Sequence, residues 1–551
     1  MSLFPRHMYA VPEETERVAR AIFPKGNLYM QWYDTFGMLF ADEDFRALFA
    51  ADGQPALSPV RLSLVLILQF MEGLSDRQAA EAVRTRIDWK YLLGLALTDQ
   101  GFHYSVLSEF RDRLLSGGME QQLFEKVLDH LKDHHLLKGR GQQRTDSTQV
   151  LGAIRSMNRL ELVVETMRYA LNALATVAPE WTVAHSQAEW VERYGERASD
   201  YRLPQTEAER LTYAEMVGAD GLAVLMAGWA APSSAWFLAL PAVQILWQVW
   251  LQNYTWTPEG HLRWRSEKEV PPASIAIRSP YDPDAHYGKK RGVSWLGYKV
   301  HFTEACDPDR PRLITHVETT PAPVQDVSVT SSIHEALDAK DCLPATHIVD
   351  SGYVDAHQLV TGPRDYQLDL LGPTRLDTGW QAIEGTGFTS RDFTIDWNHH
   401  VAHCPAGKTS LHWLPAANNH GTPVIQIKFS KHDCRLCDLQ AKCTRSHPPR
   451  RSITVYPETE HKALSAARER EKTEAFAQQY ASRAGVEGTI SQATRAFGVR
   501  QTRYIGLAKT HLQHVLTAIA MNMVRALRWL AGDELAQTRH SAFAKLYLPA
   551  A

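Results

Sequence analysis

Two aspartates stand at predicted strand ends in short polar turns, a setting in which enzymes often place metal ligands. Asp146 lies in Thr-Asp-Ser-Thr, and Asp350 follows His-Ile-Val and precedes Ser-Gly. An aspartate at a strand end points out of the sheet edge, where one hard carboxylate oxygen can bind Mg²⁺. For any single aspartate, capping the following turn is the commoner role. The pair shifts the balance only modestly toward a magnesium site.

A third acidic residue belongs to a helical pattern near the C-terminus. Spacings of three, four and seven residues predict one helical face that carries Tyr480, Arg483, Glu487 and Thr494. This face offers an aromatic ring, a cation and a carboxylate. An ordinary solvated helix surface would show the same periodicity, so the pattern alone favours the structural interpretation.

Four of the six cysteines form a separate group, in which one cysteine is followed by Cys-x₂-Cys-x₅-Cys. They are Cys404, Cys434, Cys437 and Cys443. Four thiolates can close a tetrahedral zinc site, and disulfides are not expected inside a cell. The sequence therefore predicts one structural Zn²⁺, with four reduced cysteines packing a loop as the alternative. Cys306 and Cys342 are predicted to lie in the core.

The elements that would position the acids form an α/β pattern. Strands are predicted around Asp146 and over 295–303, 313–319, 347–349 and 366–371, with a helix over 327–339. A mixed sheet with helices on its faces is the natural architecture for this order.

Helices are predicted on both sides of this sheet. Ser75 and Gln78 form a capping box, and Ser105 is predicted to cap the helix that follows it. Residues 1–135 thus have helix-turn-helix character, although a plain helical bundle fits equally well. Eight of the fifteen tryptophans lie between Trp181 and Trp264, which indicates a helical insertion with its own core. Long helices are predicted over 461–498 and 504–530.

The composition is that of an ordinary globular protein. Of 551 residues, 44% are hydrophobic and 22% charged. The net charge of −3 gives no indication of a nucleic-acid partner. Two local segments, 428–450 and 483–509, are each net basic. Charged residues throughout 1–27 argue against a signal peptide, and the most apolar stretch, 236–251, is too short to span a bilayer. We therefore expect a cytoplasmic protein that makes no membrane contact.

The sequence resembles the insertion-sequence DDE transposases that carry a Y-R-E-K signature. Tyr480-x₂-Arg483-x₃-Glu487 has the spacing of this signature, and both aspartates precede it in the expected order. At the position of the signature lysine the chain has Thr494, with Arg495 beside it as a substitute phosphate contact. Further landmarks of the subgroup are Leu74-Ser-Asp-Arg-Gln-Ala79, Arg86-Ile-Asp-Trp-Lys-Tyr91, Gly297-Tyr-Lys-Val-His301, Val349-Asp-Ser-Gly-Tyr353 and Cys404-Pro-Ala-Gly-Lys408.

The resemblance implies an RNase H-like catalytic domain in which Asp146, Asp350 and Glu487 hold two divalent metals, Mg²⁺ or Mn²⁺. Two metals suit phosphoryl transfer, with water as the first nucleophile and the freed 3′-hydroxyl as the second. Tyr480 and Arg483 would contact the transposon-end strand. The implied partners are double-stranded DNA with terminal inverted repeats and target DNA, bound by a homodimer on paired ends.

The resulting prediction is an α/β protein with an all-helical N-terminal domain and a large helical insertion. Its predicted parts are a DNA-binding domain (1–135), an RNase H-like core (136–155 and 273–373), the insertion (156–272), a basic Cys-containing insertion (374–460) and C-terminal helices completing the core (461–551). Two alternatives stay open: a nuclease or domesticated recombinase without strand transfer, and a non-catalytic DNA-binding protein. Three metal-type carboxylates argue against the second.

Overall fold

The computed structural model describes residues 1–5, 9–230, 234–290, 292–418 and 421–533, together with the single residues 541, 543 and 546. The predicted C-terminal segment, 461–551, is thus described continuously as far as residue 533.

The N-terminal region is helical, as its sequence predicts. Its helices are α1 (Glu13–Ile22), α2 (Leu28–Phe36), α3 (Pro59–Glu72), α4 (Asp76–Thr85), α5 (Ile87–Leu92), α6 (Ser105–Ser116) and α7 (Glu120–Asp133). The capping box of Ser75 and Gln78 at α4 is confirmed. The predicted cap at Ser105 is wrong, because Ser105 is already helical and its hydroxyl pairs with the His103 ring. Tyr104 occupies the cap position.

The strand β1 (Gln142–Leu151) separates these helices from the tryptophan-rich insertion. The insertion contains α8 (Arg159–Val177), α9 (Pro179–Ala184), α10 (Trp190–Tyr194), α11 (Glu207–Ala230), α12 (Ser234–Ala239), α13 (Pro241–Asn253) and the short hairpin β2 (Tyr254–Trp256) and β3 (Leu262–Trp264). Asn158 and Glu161 form a capping box that begins α8. Trp190, Phe237 and Trp250 belong to an apolar cluster whose buried residues, apart from Ile277, all come from this segment.

The chain then returns to the sheet that β1 began. It adds β4 (His286–Lys290), β5 (Val293–Ala305), β6 (Ile314–Pro321), α14 (Thr330–Ala339), β7 (Thr346–Ile348), α15 (Ala356–Tyr366) and β8 (Asp369–Leu371). The order along the sheet is β6, β5, β1, β7 and β8, and β4 also pairs with β5. β5 runs antiparallel to β1 and β6, whereas β1, β7 and β8 are parallel. The sheet is therefore mixed, as predicted.

A small sheet follows, in a segment that we call the cysteine module (residues 388–455). The elements from the main sheet through this module are α16 (Trp380–Ile383), β9 (Thr394–Asp396), β10 (Val401–His403), β11 (His412–Ala417), β12 (Pro423–Lys428), α17 (Lys431–Arg435), α18 (Gln440–Cys443) and β13 (Ser452–Val455). Phe393, Ala402, Ile427, Phe429, Ile453 and Val455 form its apolar cluster. This core is small. Its side chains come largely from β-strands, along which buried residues alternate with more exposed ones.

The C-terminal helices return to the main sheet. They are α19 (Glu458–Arg470), α20 (Glu474–Ala481), α21 (Val486–Arg495) and α22 (Leu507–Leu530), so the single helix predicted over 461–498 is in fact three. The buried face of α22 joins one large apolar cluster with residues of α3, α7, β5 and β6. The N-terminal helices therefore pack directly on α22 and the main sheet. In the described ranges, no helix is long and apolar enough to cross a membrane.

Candidate active site

The register of two parallel strands brings Asp146 and Asp350 together. β7 pairs with β1 only from Gln142 to Arg144, and the last pair joins Arg144 to Ile348. Two residues further along each chain stand Asp146 and Asp350, at equivalent positions on one face. Asp146 is thus inside a ten-residue strand rather than at its end, contrary to the sequence prediction. It is accessible because its parallel neighbour β7 has already ended.

Arg483 lies between the two aspartates. Its Nη2 is 2.9 Å from Asp146 Oδ2 and 3.6 Å from Asp350 Oδ2. The other oxygen of each carboxylate accepts a backbone N–H, from Ser147 to Asp146 and from Gly352 to Asp350. Each aspartate therefore directs one oxygen toward a shared positive centre. This convergence of hard oxygen donors fits a divalent cation.

The environment of Asp146 disfavours an isolated negative charge. Burial raises the pKa of Asp146 above its usual value, the guanidinium of Arg483 offsets part of this effect, and the nearby charge of Asp350 adds to it. A nearby cation favours the ionised form of such a buried carboxylate. Arg483 supplies part of that positive charge to Asp146, and a metal ion would supply more.

Glu487 lies near Asp146 and Asp350, but its carboxylate does not form a metal-binding group with theirs. Residues 482–485 form a 3-10 turn between α20 and α21, so the predicted continuous helical face is interrupted between Tyr480 and Glu487. Glu487 is exposed and lines the same cleft as Asp146. Within the described part of the chain, no three His, Cys, Asp or Glu side chains are close enough to hold a metal ion. Glu487 would have to turn toward the aspartates to complete the predicted triad.

The cleft has a volume of about 480 Å³ and a mostly cationic rim. Arg495, predicted as a phosphate contact, lines it and is exposed. Lys290 and Arg500 also line it, and neither was predicted. Arg500 donates from Nε to Thr148 Oγ1 over 2.9 Å. The adjacent lysines at 289 and 290 were the available signal, but only the β4–β5 hairpin brings Lys290 near Asp146.

Tyr480 is not among the residues that line the cleft. Its ring stacks on Phe476 with centroids 5.5 Å apart, and it packs against a cluster that includes Ile348 and Leu371. Burial raises its pKa. In this conformation Tyr480 supports the end of β7, two residues before Asp350.

A buried charge network fixes the segment that carries Arg483 and Glu487. Glu304 on β5 is fully buried, and its carboxylate lies 2.7 Å from Arg144 Nη2 and 3.0 Å from Arg525 Nη1. Thr489 on α21 donates its hydroxyl to the same carboxylate, and Arg144 donates to the carbonyl oxygen of Ser482. The network therefore joins β1, β5, α21 and α22.

Gly485 is required by this arrangement. A Cβ at this position would lie 2.2 Å from Arg144 Nη1, well inside contact distance. Only glycine lets the 3-10 turn approach the guanidinium so closely.

The four grouped cysteines come together in the cysteine module. Cys404 follows β10, Cys434 lies in α17, Cys437 follows α17 and Cys443 ends α18. All four are partly buried, unpaired by disulfides, and line one cavity of about 30 Å³. Of the other two, Cys306 is buried as predicted, whereas Cys342 is only partly buried.

The mixed sheet, with two aspartates brought together just beyond the last pair of its parallel strands β1 and β7, is consistent with the RNase H-like class. Two transposase family models match the chain. The model described as Transposase DDE domain matches residues 403–527, and that described as Transposase domain (DUF772) matches residues 17–113. No significant match was found among curated proteins. The two matches support an insertion-sequence DDE transposase, as the sequence resemblance implied.

The two family matches include some of the candidate site residues and leave out others. The DDE model includes Arg483, Glu487, Arg495 and the four grouped cysteines, whereas Asp146 and Asp350 lie outside both matched ranges. Transposases of this class act on DNA and generally use a divalent metal. The match to the DDE model therefore suggests that the protein is a nuclease or transferase. Both aspartates face Arg483, which lies inside the range matched by the DDE model.

Proposed function

We propose that this protein cleaves DNA strands at the ends of an insertion sequence and joins them to target DNA. The observation that carries the proposal is the convergence of Asp146 and Asp350 on one cationic centre, beside a cleft that also contains Glu487. These three carboxylates would hold divalent Mg²⁺ or Mn²⁺, whose chemistry is to activate the attacking oxygen and stabilise the leaving oxygen of the phosphodiester.

Arg483 would exchange partners during the reaction. Its guanidinium now neutralises both aspartates, and a metal at that position would free it for a DNA phosphate. Arginine suits this role because its planar donor array can bind phosphate oxygens in bidentate fashion. Its Nε has no hydrogen-bond partner among the described residues, which supports such a change of contact.

The cationic rim of the cleft would hold the DNA backbone. Lys290, Arg495 and Arg500 are exposed and surround the entrance beside Asp146. Contacts of this kind position DNA without reading its sequence. Tyr480 would contact the transposon-end strand through the part of its side chain that is not stacked on Phe476. The substrate would be double-stranded DNA with terminal inverted repeats, paired within a homodimer.

The direct test is an assay of Mg²⁺-dependent cleavage and joining on DNA that carries the element's terminal repeats. We expect Asp146→Asn, Asp350→Asn and Glu487→Gln each to abolish cleavage while binding to the ends is largely retained. Glu474→Gln is the matched control, because Glu474 is an exposed acid on α20 outside the cleft. Full cleavage by any one of the three variants would remove that residue from the site.

The same assay distinguishes the alternatives. Cleavage without joined products would identify a nuclease or a domesticated recombinase. Binding without metal-dependent cleavage would identify a DNA-binding protein and overturn the proposal.

A further inference from the structure

The cavity shared by four thiols lies outside the proposed catalytic cleft, and the two have no lining residue in common. Its sulfurs come from two places in the module. Cys404 belongs to the turn after β10, and the other three belong to the α17–α18 segment, which begins 27 residues later. A group that binds all four would therefore connect two separate parts of the module.

Backbone donors already point at two of the sulfurs. The N–H of Lys408 donates to Cys404 Sγ over 3.3 Å, and the N–H of Arg451 donates to Cys434 Sγ over 3.4 Å. The turn at Cys404 is tight, since Gly407 donates its N–H to the Cys404 carbonyl over 2.7 Å and has a φ of +73°. Such N–H···S contacts stabilise thiolates more than neutral thiols, because a charged acceptor makes the stronger hydrogen bond.

The surroundings of the cavity suit a cluster of sulfurs. Besides the four cysteines, the cavity is lined by Lys408 and Arg451, whose backbone N–H groups make the two contacts to sulfur. The lining therefore combines four soft sulfur donors with two basic residues.

We propose that Cys404, Cys434, Cys437 and Cys443 bind one structural Zn²⁺. Zinc prefers four thiolates in a closed tetrahedral site, and this set has no open position for a substrate. In the structure the sulfurs surround the cavity without reaching ligand distances. Zinc would draw them inward and fix the basic segment 428–450 against the turn at Cys404. The module's apolar core has only six buried residues, so metal binding would supply part of its folding free energy.

The test is the zinc content of the purified, untagged full-length protein. We expect about one equivalent in the wild type and less than about half an equivalent in Cys437→Ser and Cys404→Ser. Cys342→Ser is the matched control, because Cys342 is also partly buried but lies outside the cluster. Asp146→Asn should keep its zinc, which separates this site from the catalytic one.

Cobalt substitution of the wild type gives a second readout that requires no variant to fold. Bound Co²⁺ should show thiolate-to-metal charge-transfer absorption in the near ultraviolet and the intense visible bands of a tetrahedral site. Less than about half an equivalent of zinc in the wild type would overturn the proposal. So would zinc that is unaffected by Cys437→Ser, or lost equally in Cys342→Ser.

Discussion

Helix α21 and the cysteine module both lie C-terminal to the main sheet, but they are held by different interactions. α21 is fixed by a fully buried carboxylate, two arginines and a large apolar cluster. The module has a small apolar core and four thiols, and Arg445 pairs with Glu384 at its exposed edge. The chain thus uses a buried charge network and a large apolar cluster to position the segment that carries Arg483 and Glu487. In the module, we propose, zinc does the corresponding work.

The largest effect should come from removing the buried carboxylate. Glu304→Ala leaves Arg144 and Arg525 as unpaired buried cations, so we expect a loss of about 3–5 kcal/mol in unfolding free energy. Urea denaturation followed by circular dichroism would measure it. Glu384→Ala, which removes an exposed acid at the edge of the module, is the control. Equal effects of the two substitutions would contradict the difference between the regions.

Gly485→Ala should affect the core less, but should disturb the site directly. The added methyl group overlaps the guanidinium of Arg144, and relieving such overpacking costs about 1–3 kcal/mol. Because the turn must move, Arg483 would leave the aspartates. We therefore expect DNA cleavage to fall by more than the loss of folded protein alone would cause. Gly488→Ala is the matched control, since no atom lies within 4 Å of a Cβ at that position. Normal cleavage by Gly485→Ala would show that the close approach is dispensable.

The core should also lose stability in acid. Burial lowers the pKa of His301 and His334 to about 4 and that of His514 to about 3, against 6.5 for a free histidine. The unfolded chain therefore binds more protons below pH 6.5, and stability present above that pH is lost as the pH falls toward 4. Urea midpoints at pH 7.5 and 5.5 measure this slope. His514→Gln should reduce it, and an unchanged slope would exclude His514 as a contributor.

Arg483→Ala should change DNA binding by a modest and specific amount. If Arg483 contacts a phosphate in the complex, the slope of log affinity against log salt should decrease by about one. Arg468→Ala provides a comparison, because Arg468 lies on α19, outside the cleft. The phosphate contact would be rejected if the slope for Arg483→Ala matched that of the wild type.

The smallest effect should be found at the exposed edge of the module. The guanidinium of Arg445 lies 2.6 Å from Glu384 and 3.9 Å from the centre of the Trp380 ring, but its side chain is 59% exposed. A double-mutant cycle of Arg445→Ala and Glu384→Ala should give a coupling of about 0–1 kcal/mol. A coupling as large as the loss expected for Glu304→Ala would show that a surface ion pair, rather than a metal ion, stabilises the module.

The sequence predicted those elements whose composition matches their secondary structure. β5, β6 and α14 are confirmed because apolar and β-branched residues recur there at the expected spacing. β4 was missed, since it contains Gly288 and two lysines. Residue 366 was predicted to begin a strand but ends α15, where Gln367 adopts a left-handed conformation. Local patterns do not reveal this type of chain reversal.

The site was predictable as a set of residues but not as an arrangement. Asp146, Asp350 and the Tyr-Arg-Glu spacing are visible in the chain. The pairing of Arg483 with both aspartates depends on the register of β1 and β7, which no local pattern specifies. The role of Glu304 was equally hidden, because a glutamate in a strand usually faces solvent.

The segments that enter and leave the helical insertion lie close together beside the main sheet. Gly152 donates its N–H to the Leu296 carbonyl over 2.9 Å, and the hydroxyls of Ser156 and Tyr287 lie 2.6 Å apart. Since both ends of the insertion are fastened at the same place, its length and content can vary without shifting β1 against β5. The insertion can therefore be exchanged at these two ends, in the laboratory or over evolutionary time, while Asp146 and Asp350 keep their relative positions.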